Sequence, residues 1–324
     1  MSFRKAFLFL LFIVILPGLP AFTQEHLGLE NPLELSPVDP IDVTGDIISA
    51  GSSTVFPLSE KIADIFHQEG YLGTMTIDNI GSGAGFSRFC EEGSSDIVTA
   101  SRPIKESEAE ACANLIPPRY PIEFRVGSDA LVLTVSTANT FLTDVSLDEL
   151  ALIFGSAELW SDIRPDYPAQ RILRFIPGTD SGTFDFFVET VFNKDESILL
   201  TAPNTQLSEN DNVLVQGIAA SPYAIGFFGF AYYLENETLV RPVSIAGVQA
   251  SAATAEDNTY PLSRPLYLYS DAGVMSRKPQ VAAFISYYLT HVNTYILEAG
   301  YFPATPAALN LSKQKFLAAT LPNQ

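Results

Sequence analysis

The sequence predicts an α/β fold, because short apolar segments of strand composition alternate with segments of helical periodicity along most of the chain. Residues 130–135 form an apolar run of strand length that is rich in β-branched side chains. Between Phe184 and Phe192, large apolar side chains recur at three- and four-residue spacing, as in an amphipathic helix. The 324 residues are also enough for two domains of ordinary size.

The same patterns place the remaining elements in order along the chain. Strands are predicted at residues 47–50, 74–80, 96–100, 130–135, 171–176, 224–230 and 266–269. Helices are predicted at residues 58–66, 86–89, 147–154, 184–192 and 281–297.

The N-terminus has the pattern of a secretory signal peptide. Arg4 and Lys5 precede an apolar run over residues 6–15, and Pro17 and Pro20 then interrupt any helix. The apolar run is shorter than the ~20 residues that a membrane-spanning helix needs. We therefore predict a signal peptide at residues 1–24 and a periplasmic or extracellular location in the cell envelope. Residues 25–44, acidic and with three prolines, are expected to form a flexible linker.

Net charge and cysteine content restrict the partners and the chemistry that this chain can have. A formal net charge of −19 argues against nucleic acid as a partner, because nucleic-acid binding requires basic side chains that neutralise phosphates. Cys90 and Cys112 are the two cysteines, and in an exported chain a disulfide is the expected state. A metal site or a redox pair is the alternative, but two thiols and three histidines are a poor ligand set. We expect no cofactor.

Three loops share one pattern, in which a strand is followed by Gly with Ser or Thr and then by a helix. They are residues 51–54 (GSST), 81–85 (GSGAG) and 178–183 (GTDSGT). The first N–H groups of a helix have no intrahelical acceptor, and glycine lets an anion approach them closely, so such a loop suits an oxyanion. Each loop alone is equally compatible with ordinary helix capping.

A fourth motif supplies a positive charge. Residues 101–103 (SRP) follow the strand predicted at 96–100, and an arginine at a strand end can bind a tetrahedral oxyanion with two hydrogen bonds. The alternative for Arg102 is a surface ion pair, which is common in a chain this acidic.

Together these motifs resemble the bacterial periplasmic phosphate-binding proteins of phosphate ABC transporters. The resemblance covers residues 50–58, 81–86, 96–104 and 179–184, and includes residues 224–226 and 260–266. It implies a class II periplasmic-binding-protein fold, in which two α/β lobes are joined by two crossing strands. Residues 45–127 plus 263–324 would form the first lobe, and residues 128–262 the second, with crossings near Gly127 and Ser263.

The resemblance also implies the residues that bind phosphate. These are Ser53, Thr54, Ser82, Ser101, Arg102, Asp180, Ser181, Gly182 and Thr183. One departure affects the charge: better-known members have an arginine shortly before the third loop and an aspartate in the position of Arg102, whereas this chain has Pro177. We therefore expect Arg102 to replace that arginine. Asp180 is the first candidate to accept the phosphate proton, unless it only caps a helix, and Asp129 is the second.

The implied function is that of a monomeric, non-catalytic receptor that binds inorganic phosphate and delivers it to an ABC permease. The alternatives are a receptor for sulfate, molybdate or a phosphonate, an adhesion or signalling module, and an enzyme. An enzyme is disfavoured because only His26, His67 and His291 could act as imidazole bases, and no Gly-x-Ser-x-Gly motif occurs.

Overall fold

The computed structural model describes residues 32–179 and 181–321. The predicted signal peptide and Asp180 therefore lie outside the described residues. Within them the expected alternation of strands and helices is confirmed. The strands are β1 (Ile47–Gly51), β2 (Met75–Asn79), β3 (Ile97–Ala100), β4 (Ile122–Ser136), β5 (Asp144–Val145), β6 (Leu173–Pro177), β7 (Thr205–Ser208), β8 (Ala224–Gly229), β9 (Val240–Pro242), β10 (Ser244–Ile245), β11 (Ser263–Ser270) and β12 (Phe302–Pro303).

Helices separate most of the strands. They are α1 (Phe56–Gln68), α2 (Ser82–Ser87), α3 (Glu106–Asn114), α4 (Leu147–Ile153), α5 (Gly182–Phe192), α6 (Glu196–Leu200), α7 (Asp211–Ala219), α8 (Phe230–Asn236), α9 (Ala252–Glu256), α10 (Ala272–Arg277), α11 (Pro279–Tyr295) and α12 (Pro306–Thr320). In the described ranges, none of them combines the length and the apolar character needed to cross a bilayer.

One long strand links the two halves of the main sheet. The sheet has the order β2-β1-β3-β11-β4-β8-β6-β7, with β9 and β12 also paired to β4. Strand β4 has 15 residues, and it pairs antiparallel with β11 as far as Ala130 and with β8 from Leu131 onward. The neighbours of β1 and β6 are parallel, as in strand–helix–strand units. The predicted run at 130–135 is thus part of a longer crossing strand.

The buried apolar residues form separate cores on either side of this crossing. The largest cluster draws its members from residues 35–126 and 266–316. A second cluster runs from Ala130 to Leu262 and includes Phe302, and a smaller third one lies around Phe175 and Phe228. The two-lobe α/β fold with two connecting strands, predicted above, is therefore confirmed. We call the part around the first cluster the first lobe, and the part around the other two clusters the second lobe.

Residues 32–44, within the segment expected to be a flexible linker, are packed against the first lobe. The side chain of Leu35 is buried, and the N–H of Leu33 donates to Oδ1 of Asn310 at 2.8 Å. The ammonium group of Lys313 donates to the Leu33 carbonyl oxygen at 2.9 Å. Both partners lie on α12, far away in sequence, so that the acidic and proline-rich composition of the segment gave no sign of this contact.

Cys90 and Cys112 form a disulfide, as the compartment argument predicted. Cys90 lies in a π-helical turn (Arg88–Glu92) that follows α2, and Cys112 lies in α3. Both side chains are fully buried. The bond therefore connects the helix after the second Gly/Ser loop to the helix that follows the Ser-Arg-Pro motif.

Replacing both cysteines by alanine is expected to lower the free energy of unfolding by about 3 kcal/mol, because the bond closes a loop of 22 residues in the unfolded chain. Denaturant unfolding of the variant and of oxidised wild type would measure the difference. Reduced wild type is the control and should resemble the variant. Equal stability of the oxidised wild type and the variant would contradict a stabilising role.

Candidate functional site

A cleft between the two lobes is lined by residues of all three Ser/Gly loops. It consists of two cavities of about 640 and 570 Å³. Both cavities are lined by Ser53, Asp185 and Arg264, so they adjoin and form one cleft. Residues 181–183 of the second lobe line the larger cavity, and residues 81–84 of the first lobe line the smaller one.

The first loop leaves the sheet at Gly51, a position that has no room for a side chain. A Cβ atom at Gly51 would lie 2.0 Å from the carbonyl oxygen of Thr99 on the neighbouring strand β3. The N–H of Ser52 donates to that same oxygen at 2.9 Å. The close approach of β1 and β3 thus fixes the point from which the loop enters the cleft.

The loop then turns into α1, with Ser53 lining both cavities and Val55 fully buried. Oγ of Ser52 accepts from the N–H of Thr54 at 3.2 Å, and Thr54 is buried. In the described part of the chain, the N–H groups of Ser53 and Val55 have no hydrogen-bond acceptor. The loop therefore offers backbone donors at the N-terminus of a 13-residue helix, where a negative charge is favoured.

The second loop is hydrogen-bonded to the first one. The N–H groups of Ile80 and Gly81 both donate to the carbonyl oxygen of Gly51, at 3.0 and 2.7 Å. Gly81 has a φ of 85°, which favours glycine. Oγ of Ser82 accepts from the N–H of Ser101 at 3.2 Å. The predicted residues Ser53, Thr54, Ser82 and Ser101 are thus brought together in one hydrogen-bonded unit.

The third loop comes from the second lobe and begins α5. Ser181 is its N-cap, and its Oγ accepts from the N–H of Thr183 at 3.2 Å. Gly182 is the first helical residue, and a Cβ atom there would meet open space. All three line the larger cavity. Asp180, the predicted proton acceptor, is outside the described residues.

Arg102 lines the smaller cavity, but its guanidinium is already paired. Its Nη1 and Nη2 atoms donate to the two carboxylate oxygens of Glu108 at 2.9 and 2.6 Å, and Nη1 also donates to the Pro103 carbonyl oxygen. The hydrogen bond to Glu108 raises the pKa of Arg102, although burial opposes this. Burial works against ionisation of Glu108, but hydrogen bonds from Arg102 and from the Lys105 N–H lower its pKa. Most of the charge of Arg102 is therefore balanced within the first lobe.

Arg264 is the buried cation of the cleft, and the sequence analysis gave it no role. Its Nε donates to Oδ2 of Asp129 at 2.9 Å, and its Nη2 donates to the carbonyl oxygen of Gly182 at 3.2 Å. The guanidinium carbon lies 3.9 Å from the centre of the Phe186 ring, a cation–π contact. The side chains of Arg264 and Asp129 are only 10% and 9% exposed. This pair places a buried guanidinium, with Asp129 as its counter-ion, between the third loop and the crossing strands.

Four further carboxylates of the described residues line the larger cavity, those of Asp185, Asp211, Glu235 and Glu298. Burial raises the pKa of Asp185, and the positive charge of Arg264 opposes that rise. Burial also raises the pKa of Asp211, and the nearby charge of Glu209 adds to the effect. An anion in this cleft would therefore be favoured near Arg264 and the loop N–H groups, and disfavoured toward Asp211.

The cleft has the components of an anion site. Neither His67 nor His291 lines it, and Nδ1 of His67 is hydrogen-bonded to the Tyr71 carbonyl oxygen at 3.1 Å. Among residues 32–179 and 181–321, no group of three His, Cys, Asp or Glu side chains could hold a metal. The arrangement can bind and orient an oxyanion with hydroxyl groups, backbone N–H groups and one guanidinium.

Replacing Arg264 by methionine is expected to lower the free energy of unfolding by about 3 kcal/mol, because Asp129 would remain buried without its cation. The matched control is Arg102→Met, whose partner Glu108 is more exposed, and which should cost about 1 kcal/mol or less. Denaturant unfolding would measure both. A loss for Arg264→Met no larger than that for Arg102→Met would contradict the burial argument.

Comparison with known proteins identifies the family. The family model described as a PBP superfamily domain matches residues 40–291. SphX of Synechococcus elongatus is 36% identical over 294 residues, covering 87% of this chain and 85% of SphX. The phosphate-binding protein PstS of Staphylococcus haemolyticus is 30% identical over 266 residues, covering 80% of this chain and 81% of PstS.

Solved structures agree with this assignment. The crystal structure of "a possible phosphate binding protein" from Planctomyces limnophilus superposes with a TM-score of 0.79 at 33% identity, covering 86% of this chain and all of the other. An ABC-type phosphate transport receptor from Vibrio cholerae has a TM-score of 0.63 at 22% identity, with coverages of 79% and 99%, and shows the shared fold. This chain belongs to the PBP superfamily, in the family that contains the SphX and PstS proteins.

Proposed function

We propose that this protein is an exported, non-catalytic receptor that binds inorganic phosphate in the cleft and delivers it to an ABC permease. The observation that carries the proposal is the buried Arg264–Asp129 pair in a cleft that Ser/Gly loops of both lobes line. The relatives from Staphylococcus haemolyticus and Planctomyces limnophilus, whose names refer to phosphate binding, support the choice of ligand.

The main guanidinium donor to phosphate is Arg264 in this proposal, rather than Arg102. Both arginines are paired with a carboxylate, but Arg264 uses only one hydrogen bond for Asp129 and lies against the third loop. Both Nη atoms of Arg102, by contrast, donate to Glu108. Its Nε–H and one Nη2–H are not used by that pair and can still donate to a phosphate oxygen. The N–H groups of Ser53 and Gly182 and the hydroxyls of residues 53, 54, 82, 181 and 183 supply neutral donors. Many such donors and one cation suit an anion that leaves water completely.

Asp129 is the residue that we assign as acceptor of the phosphate proton. Its Oδ2 accepts from Arg264, and Oδ1 has no donor within the described residues. At neutral pH phosphate still carries a proton and sulfate carries none. A fixed carboxylate next to the anion therefore accepts a hydrogen bond from phosphate and repels sulfate. Asp180, our first candidate from the sequence, remains a prediction.

The other functions differ in measurable ways. A receptor for sulfate, molybdate or a phosphonate would use the same cleft and would be distinguished by ligand competition. An adhesion or signalling module would not need the buried pair in a cleft, so the pair disfavours that alternative. An enzyme would need a base beside a nucleophile, and the histidines of the described ranges lie away from the cleft.

Export, partner and oligomeric state complete the proposal. Residues 1–24 would direct secretion, which leaves the mature protein in the periplasm or outside the cell. Residues 45–127 plus 263–324 and residues 128–262 would be the lobes that close over the ligand about strands β4 and β11. The mature protein would act as a monomer, and the permease would recognise its closed form.

Calorimetric titration of mature protein, unfolded and refolded to remove any carried ligand, would test the proposal. Phosphate is expected to bind, and sulfate to bind on the order of 100-fold more weakly, because the unpaired repulsion with Asp129 costs about 2 to 5 kcal/mol. Asp129→Asn should reduce that ratio to less than about tenfold. The control Asp185→Asn, which removes another carboxylate of the same cleft, should keep it.

Each alternative result has a distinct meaning. Sulfate binding as tight as phosphate binding in the wild type would reject phosphate specificity. No heat from any oxyanion would reject the receptor function. If Asp129→Asn still discriminates as the wild type does, Asp129 is not the proton acceptor.

A further inference from the structure

We propose that Tyr301 is a positioning residue that fixes the first loop (residues 51–55) to the crossing strand β4, and so sets the geometry of the phosphate site. This inference rests on the proposed function, because it concerns the affinity of that same site. Tyr301 lines the larger cavity together with Ser53, Asp129 and Arg264. It follows α11, in a region to which the sequence motifs assigned no role.

The end of α11 fixes the backbone of Tyr301 from one side. Gly300 has a φ of 84°, the left-handed conformation that commonly ends helices. Its N–H donates to the carbonyl oxygen of Leu297 at 3.0 Å, and the N–H of Tyr301 donates to that of Ile296 at 3.1 Å. These two bonds form a Schellman-type turn over residues 296–301, which follow α11.

Strand β12 fixes the same residue from the other side. Phe302 pairs with Ser128 of β4, and Pro303 pairs with Gly127. The contact is close, because a Cβ atom at Gly127 would lie 2.7 Å from the carbonyl oxygen of Phe302. Tyr301 is thus held against the part of β4 that immediately precedes Asp129, in the strand that crosses between the lobes.

The hydroxyl of Tyr301 connects this fixed point to the first loop. It donates to the carbonyl oxygen of Thr54 at 2.6 Å. Burial, together with the nearby charge of Asp129, raises the pKa of Tyr301, so the hydroxyl keeps its proton and remains a donor at neutral pH. Because a peptide group is planar, holding the Thr54 carbonyl oxygen also fixes the plane of the Thr54–Val55 peptide. This peptide lies next to Ser53, which lines both cavities and whose N–H has no acceptor among the described residues.

Tyr301 therefore links the first loop to the part of β4 that carries Asp129, the partner of Arg264. Without the hydroxyl, residues 53–55 would lose one bond that holds their peptide planes, while the aromatic ring would still fill its space. Donors that are not held in place before binding must be ordered by the ligand, which weakens affinity.

Tyr301→Phe tests the proposal, with Tyr288→Phe as matched control. Tyr288 is fully buried, its hydroxyl is 3.2 Å from Oγ of Ser59 in α1, and it does not line the cleft. In calorimetry with refolded protein, Tyr301→Phe should weaken phosphate binding about fivefold to tenfold. Its denaturation midpoint should not fall below that of Tyr288→Phe by more than the loss of one buried hydrogen bond explains. Tyr288→Phe should leave the dissociation constant unchanged and lower the midpoint.

Hydrogen exchange of the ligand-free proteins gives a second readout that does not depend on phosphate. Exchange in peptides covering residues 52–56 should be faster in Tyr301→Phe than in wild type and unchanged in Tyr288→Phe. Wild-type affinity in Tyr301→Phe, equal weakening in both variants, or unchanged exchange at residues 52–56 would overturn the proposal. Absence of phosphate binding by wild type would instead reject the proposed function, and the exchange result would still decide the role of Tyr301.

Discussion

The register between the crossing strands β4 and β11 is the constraint on which the site depends. It places Arg264 directly opposite Asp129, 135 residues away in sequence, in the strands that connect the two lobes. Burying two charges is costly unless further polar contacts complete the pair, and here the Gly182 carbonyl oxygen and the Phe186 ring do so. Both contacts come from the start of α5. The pair therefore joins the third loop to the crossing strands and gives the cleft its buried cation.

Close backbone approach, rather than side-chain chemistry alone, explains the glycines of the first two loops. A Cβ atom at Gly85 would lie 2.7 Å from the carbonyl oxygen of Ala50, and one at Gly51 would overlap that of Thr99. The carbonyl oxygen of Gly51 also accepts two N–H groups of the second loop. The glycines are thus required for packing the two loops together, and the same packing brings their open N–H groups to one cleft.

The sequence predicted the features that depend on local patterns. Periodicity found seven of the twelve strands and five of the twelve helices in the described residues, and the Ser/Gly loops mark the strand-to-helix turns that line the cleft. The disulfide followed from the two cysteines and the predicted export. Arg102 was correctly placed at the cleft, but the sequence gave no measure of how strongly Glu108, on the next helix, would bind it. Arg102 and Glu108 are close in sequence. The spacing of Lys105 and Glu108 at the start of α3 was a signal in the sequence that could have indicated this contact.

Arg264 could not be assigned from local patterns, because its significance depends on a strand register. The segment at residues 260–266 belonged to the family resemblance, yet nothing nearby in sequence identifies Asp129 as its partner. Tyr301 could not be assigned from local patterns either, because its role depends on the pairing of β12 with β4 and on a carbonyl oxygen 247 residues away. Pairings of this kind are set by tertiary packing, which single-sequence periodicity does not encode.

A crystal structure of the mature protein with bound phosphate would test the central claim most directly. The account predicts a phosphate ion within hydrogen-bond distance of the Arg264 guanidinium and of the Ser53 and Gly182 N–H groups. One phosphate oxygen should face the Asp129 carboxylate at about 2.5–2.7 Å, the length of a charged O–H···O bond. Phosphate bound by Arg102 alone, with the Arg264–Asp129 pair out of contact, would contradict it.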